Sequence, residues 1–200
     1  MALSTYADLQ SAVGSWLARD DLSANIPDAI TLFEAHAARK LKVRPMETST
    51  TLTPSSGSAD LPSGYLGFIR ATVTSDTRVG MEYVRPSYLQ ALYPTTISDT
   101  PRFFTIEGSA LKTRSSDATG IEFLYYAKNT VVSSALNWLF TNHPDAYLFG
   151  TLYEMQAFTD APLENIILWK GRRDEVMEEI RLSNFREGSG LAVRTMGAHP

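Results

Sequence analysis

Cysteine is absent from all 200 residues, which excludes disulfide bonds, thiolate catalysis and cysteine-ligated zinc. No stretch approaches the roughly 18–20 consecutive apolar residues of a membrane-spanning helix, so no membrane association is expected. The opening MALSTYADLQ lacks a basic region followed by an apolar run, so no signal peptide is expected, and the chain is compatible with synthesis in a cytoplasm. The motifs of common chemistry are missing too. There is no GxxxxGKS/T, no GxGxxG between strand and helix, no HExxH and no GxSxG. Histidine is scarce, with three residues. His199 falls in a loose C-terminus, His36 on the polar side of a helix, and His143 beside a helix start. Carboxylates are scattered, and the adjacent Glu178 and Glu179 point different ways on a helix. No catalytic residue, cofactor site or metal site is expected.

Net positive charge is also missing. The balance is −4, which speaks against a general nucleic-acid binder, since such proteins gain most of their affinity from basic surface. Residues 129–185 carry four basic and eight acidic side chains, whereas 1–45 carry five of each. The acidic excess therefore belongs to the C-terminal helical pair.

What the chain does have is apolar periodicity. The segment Asn142 to Phe158, NHPDAYLFGTLYEMQAF, is apolar nearly all round at helical spacing, with Asn142 read as its cap and Pro144 and Asp145 in its first turn. It predicts a central helix packed from several sides. Before it come two amphipathic helices. The first spans 5–19, capped by Ser4 or Thr5, with Tyr6, Leu9, Val13, Trp16 and Leu17 on one face. The second starts near Asn25 and runs through Ile30, Phe33, Ala37 and Leu41, with Pro45 ending it. Its last turns hold Arg39, Lys40, Lys42 and Arg44. These charged residues read either as a solvated, dipole-compensating helix end or as contacts to phosphate or to an acidic partner surface.

Beyond Pro45 the apolar period changes from helical to two. Strands are predicted over Thr48–Thr53, Tyr65–Thr74 and Val79–Val84, the last two joined by the turn SDTR. A short helix follows over Pro86–Tyr93 with Leu89 and Leu92 facing inward. A hairpin over Arg102–Glu107 and Leu111–Arg114 turns at Gly108-Ser109, and a final strand covers Ile121–Lys128. Tyr125 and Tyr126 read as core packing or as base-stacking groups. Val131–Thr141 reads as a linker whose Leu136, Trp138, Leu139 and Phe140 cover the helical core. A last helix, Leu163–Asn184, turns Leu163, Ile166, Ile167, Trp169, Val176, Met177 and Ile180 inward. Its densely charged remainder, KGRRDEVMEEIR, reads as a solvated face. From Arg186 the periodicity ends, and a short segment with Leu191, Val193 and Met196 reads either as an unused terminus or as one that orders on another chain. The expected fold class is α+β, a helical bundle of about four helices (1–45 and 129–185) with an inserted antiparallel β sub-domain (46–128) and an extended, flexible C-terminal tail (186–200).

Several stretches in this order carry a resemblance: SWLAR, IPDAITLFEAHAARKLKVRPMETSTTLT, DLPSGYLGFIRATV, PRFFTIEGSALKT, IEFLYYAK and NWLFTNHPDAYLFGTLYEMQAF, followed by a charged helix and a Gly-rich tail. The chain resembles the tailed-bacteriophage head-to-tail connector, or adaptor, proteins across residues 5–196. The resemblance implies a non-enzymatic virion component at the capsid's portal vertex. It implies a homo-oligomeric ring, typically twelve-fold, under the portal protein, extending the DNA channel and presenting a docking surface to tail or nozzle proteins. DNA would pass without specific binding. The C-terminal extension would reach along the portal, with Arg186, Leu191, Val193, Arg194 and Met196 as its contacts. A nucleic-acid-binding module using Arg39 to Arg44 is the alternative.

Overall fold

The computed structural model describes residues 3–19, 21–75, 78–116 and 119–188. The protein is α+β, and its internal contacts divide it into two compact units, residues up to Pro45 with those from Thr130, and Met46–Asn129.

In the first unit, helix α1 (Tyr6–Leu17) begins with a reciprocal cap. The Asp8 N–H donates to Thr5 Oγ1 at 3.1 Å and the Thr5 N–H donates to Asp8 Oδ2 at 2.9 Å, so two orphan donors of the first turn are satisfied together. Its buried residues are Leu9, Ala12 and Val13, whereas Trp16 is exposed, contrary to its expected inward position. The Trp16 ring instead packs edge-on against Phe149, 5.8 Å between centroids.

Helix α2 (Ile26–Lys40) has Pro27 and Asp28 in its first turn and buries Ile26, Ala29, Ile30, Phe33 and Ala37. It does not continue to Pro45. Leu41 leaves the helix at φ −95°, ψ 129°. Extended geometry lets Leu41 and Val43 both point into the core while Lys42 points to solvent, an alternation a helix could not provide.

The segment expected to be a linker contains helix α4 (Trp138–Asn142), capped by Asn137, whose Oδ1 accepts the Phe140 N–H at 2.9 Å. Asn142 therefore ends a helix instead of capping one. Leu139 and Phe140 are buried as expected, but Leu136 is half exposed. The central helix α5 (Pro144–Glu154) follows from His143 and tightens into a 3-10 turn, Met155–Phe158. It buries Ala146, Tyr147, Leu148, Gly150, Thr151 and Leu152 and packs against α1, α2, α4 and helix α6 (Leu163–Gly188).

Helix α6 passes Asn184 and includes Arg186, so the expected tail boundary lies too early. The first two turns also differ from expectation. Leu163 and Ile167 are 69% and 61% exposed, and the buried face starts only at Trp169 and runs through Arg173, Val176, Met177 and Ile180. Among the described residues this unit holds five helices instead of about four, because the linker contributed one.

The second unit is built on a seven-stranded sheet, β1 (Glu47–Leu52), β2 (Ser58–Asp60), β3 (Tyr65–Val73), β4 (Val79–Tyr83), β5 (Phe103–Glu107), β6 (Ala110–Lys112) and β7 (Ile121–Ala127). Its order is β1-β7-β3-β4-β5-β6-β2. Strand β3 registers on β7 with Ala71 opposite Phe123 and Val73 opposite Ile121; these four side chains, with Phe104 and Leu111, are the most buried of its core. Tyr125 is buried there, stacked on Phe123 at 5.7 Å, which makes it a core residue and not a base platform.

The sheet is not wholly antiparallel. β4 and β5 run parallel, Glu82 opposite Phe103, because the long connection between them, carrying helix α3 (Pro86–Leu92), returns the chain in the same direction. On α3, Leu89 is buried but Leu92 is exposed. The SDTR turn between β3 and β4 lies partly outside the described residues. The unanticipated β2 is created by a turn at Ser56 and Gly57, both at positive φ. A Cβ on Gly57 would stand 2.8 Å from the Thr113 carbonyl oxygen, so glycine is required there.

Candidate functional site

The helical unit is held by a partly buried polar clamp. Glu34 sits beside Phe33 on α2, and its Oε1 accepts the Tyr147 hydroxyl at 3.0 Å and the Val132 N–H at 2.7 Å. Asn137 Nδ2 donates to the same Tyr147 oxygen at 2.7 Å and to the Thr130 carbonyl at 2.8 Å. One carboxylate, one phenol and one carboxamide thus fasten residues 130–137 to both α2 and α5. Burial first of all pushes the Tyr147 hydroxyl well above its ordinary pKa, with the nearby Glu34 charge adding to the effect. The group stays protonated and donating throughout the physiological range.

Close packing complements the clamp. A Cβ added at Gly150 would fall on the ring of Phe33, and Tyr147 meets Phe33 edge-on at 5.1 Å. The α2–α5 contact therefore depends on glycine's missing side chain.

Arg173, expected on a solvated face, is 4% exposed. Its guanidinium lies 4.3 Å over the Tyr153 ring. It donates from Nε and Nη2 to Asp174 Oδ1 at 2.9 and 2.7 Å and has Glu154 at 3.9 Å. The planar cation stacks on one face and is satisfied at its edge, tying α6 to α5.

The two groups of residues singled out in the sequence fare differently. Arg39 and Lys40 lie in the last turn of α2, Lys42 on the extended run after it and Arg44 at the start of the 3-10 turn Arg44–Met46, all exposed. The Arg44 N–H donates to Asn184 Oδ1 of α6 at 2.8 Å, and Arg39, Lys40 and Lys42 line a cleft with Arg181 and Asn184. Of the proposed tail contacts, Arg186 is on α6, while Leu191, Val193, Arg194 and Met196 lie outside the described residues. Glu34, Asn137, Tyr147 and Arg173 were missed. Their signal was present: each is a polar group inside an apolar or helical stretch that would have to find a partner once buried.

Among the described residues no group of three or more His, Asp or Glu side chains is placed to hold a metal ion. No helix there is long and apolar enough to cross a membrane.

A clamped helical unit and a mixed sheet, with charged and apolar groups displayed on the helices, define a scaffold that presents surfaces. The family model described as SU10 adaptor protein matches residues 4–195, and the chain belongs to that family of phage head-to-tail adaptors. No curated protein matches the chain. Membership implies a structural role in the virion and interaction with phage portal and tail proteins.

Proposed function

We propose that the protein forms a homo-oligomeric ring, twelve-fold by resemblance, beneath the portal at the capsid vertex. The ring extends the DNA channel and offers tail or nozzle proteins their docking surface. The observation that carries this reading is the family match, which spans both compact units. Two features of the helical unit support it. Its helices are pinned by the Glu34–Tyr147–Asn137 clamp, which suits a stiff ring component. Leu163, Ile167 and Leu168 on the first turns of α6 are exposed, and a neighbouring copy would remove them from water.

In this reading 46–128 is a sub-domain inserted between the halves 1–45 and 129–185 of the helical body. The segment 189–200, following the end of α6, serves as an extension that contacts the portal through Leu191, Val193, Arg194 and Met196, with Arg186 on the last turns of α6 beside it. DNA passes through without specific binding. Negative-stain images of the protein mixed with its portal test the proposal. Rings seated on portal particles are expected, and portals that stay bare at every mixing ratio overturn it.

A further inference from the structure

Two clefts share a wall at the end of the helical unit where α2 runs out. The larger, about 500 Å³, lies between the 39–43 segment and the second half of α6. The smaller, about 350 Å³, adjoins it through Lys40, Glu178 and Arg181, which line both. Arg39, Lys40, Lys42 and Lys170 are exposed around them, and none makes an ion pair among the described residues. The two carboxylates present are already engaged. Glu178 accepts from Arg181 at 2.9 Å and Asp174 from Arg173 at 2.7 Å.

Compensation of a helix dipole accounts for Arg39 and Lys40 at the end of α2. It does not account for Lys42, which lies beyond that end on extended backbone, nor for Lys170 in the first half of another helix. Lys40, Lys170, Arg173 and Arg181 outnumber Asp174 and Glu178 in the lining of the smaller cleft. His36 lines it, and its imidazole is pushed below the usual range first by burial and then by Arg173, Arg39 and Lys40. The clefts are not purely polar. Val43 and Met177 are buried in their walls, and Leu182 stands 47% exposed in the larger one.

We propose that this double cleft seats an acidic peptide segment of a partner protein, its carboxylates on Arg39, Lys40 and Lys42 and an apolar side chain against Leu182. A peptide fits better than a nucleic acid for three reasons. Duplex DNA presents a phosphate charge about every 1.7 Å, and Glu178 and Asp174 interrupt the cations that such a continuous line of charge needs. A peptide can space its carboxylates around them. An exposed leucine beside the cations rewards an apolar side chain, which a phosphate backbone lacks. Unpaired cations in a concave site are also screened less by water than on an open surface, so discrete carboxylates are attracted more strongly there.

The full chain is titrated into a short fluorescent peptide alternating glutamate with leucine, its glutamine counterpart, and a DNA duplex of matched charge. Anisotropy is expected to rise for the glutamate peptide alone and to fall with added salt. The double variant Arg39→Glu, Lys40→Glu should weaken that binding about tenfold or more, and Leu182→Ser should weaken it as well. Lys128→Glu, a single charge reversal on the other unit, should leave it unaltered. Circular dichroism of each variant verifies folding. Equal binding of the duplex overturns the inference in favour of a phosphate contact. Self-association abolished by the double variant overturns it in favour of a contact between copies, and absence of peptide binding overturns it outright. The inference does not depend on the adaptor reading: a chain that decorates portals yet ignores the peptide sinks only this one.

Discussion

Tyr147 shows how a single atom organises the helical unit, because its hydroxyl oxygen both donates to Glu34 and accepts from Asn137. Tyr147→Phe removes that atom and leaves a buried carboxamide donor short of a partner, so a loss of about 1–3 kcal/mol is expected in denaturant unfolding. The same hydroxyl sets an alkaline limit. Its folded pKa lies above the ordinary 10.0, so its contribution to stability is complete below pH 10.0 and declines above it, as the unfolded chain gains by ionising first. Wild-type melting temperature should fall above pH 10 more steeply than that of Tyr147→Phe, and parallel curves would refute the assignment. Gly150 gives a second test at this scale. Alanine there gains about 1 kcal/mol of helix propensity. It must also displace the buried Phe33 ring, and overpacking costs about 1–3 kcal/mol. Net destabilisation of Gly150→Ala is expected in thermal melts, and a stabilised variant would contradict the packing described. The role of Gly150 was not legible in the sequence. Gly150 in NHPDAYLFG looks like one more small residue on an apolar helix, and only the approach of α2 makes its missing Cβ necessary.

At the scale of elements, local chemistry was readable wherever the chain speaks to itself. Thr5 and Asp8 are three residues apart, so the cap of α1 needs no tertiary partner. Hydrogen bonds from the Ser4 and Thr5 side chains hold the Asp8 carboxyl below its ordinary 3.8. A depressed carboxylate contributes above its unfolded pKa and loses that contribution as pH falls through the folded value. Amides of the first turn of α1 should therefore exchange faster below about pH 3.8 while those of α5 do not, and Asp8→Ala should abolish the difference. Thr5→Ala should cost about 1 kcal/mol. Boundaries that depend on other elements were less legible. α2 stops at Lys40 and not at Pro45 because the core accepts Leu41 and Val43 in alternation. Asn137 caps α4, which Asn142 ends, because burial turns the Asn137 carboxamide toward Phe140, Tyr147 and Thr130 together. The parallel β4–β5 pair escaped notice for a similar reason. Period-two patterning shows which residues face inward and is silent about strand direction.

For the whole molecule, the proposed extension gives the sharpest outcome. Removing 189–200 should leave the melting temperature nearly unchanged, since the clamp, the α2–α5 contact and the sheet core all lie elsewhere, and should abolish decoration of the portal. Full portal affinity of the shortened chain would refute the role given to Leu191, Val193, Arg194 and Met196. Family membership follows from the order of stretches such as IPDAITLFEAHAARKLKVRPMET and NWLFTNHPDAYLFG, a linear property that needs no coordinates. The α+β class and most helix and strand positions also followed from the sequence alone, because periodicity, caps and turn residues act over a few neighbours. Only the tertiary structure decided that Arg173 is buried on Tyr153, that Leu163 and Ile167 stay exposed, and that Lys42 and Arg181, far apart in the chain, line one cleft. Burial, hydrogen-bond satisfaction and local field depend on which distant elements meet, and one-dimensional spacing carries no record of that.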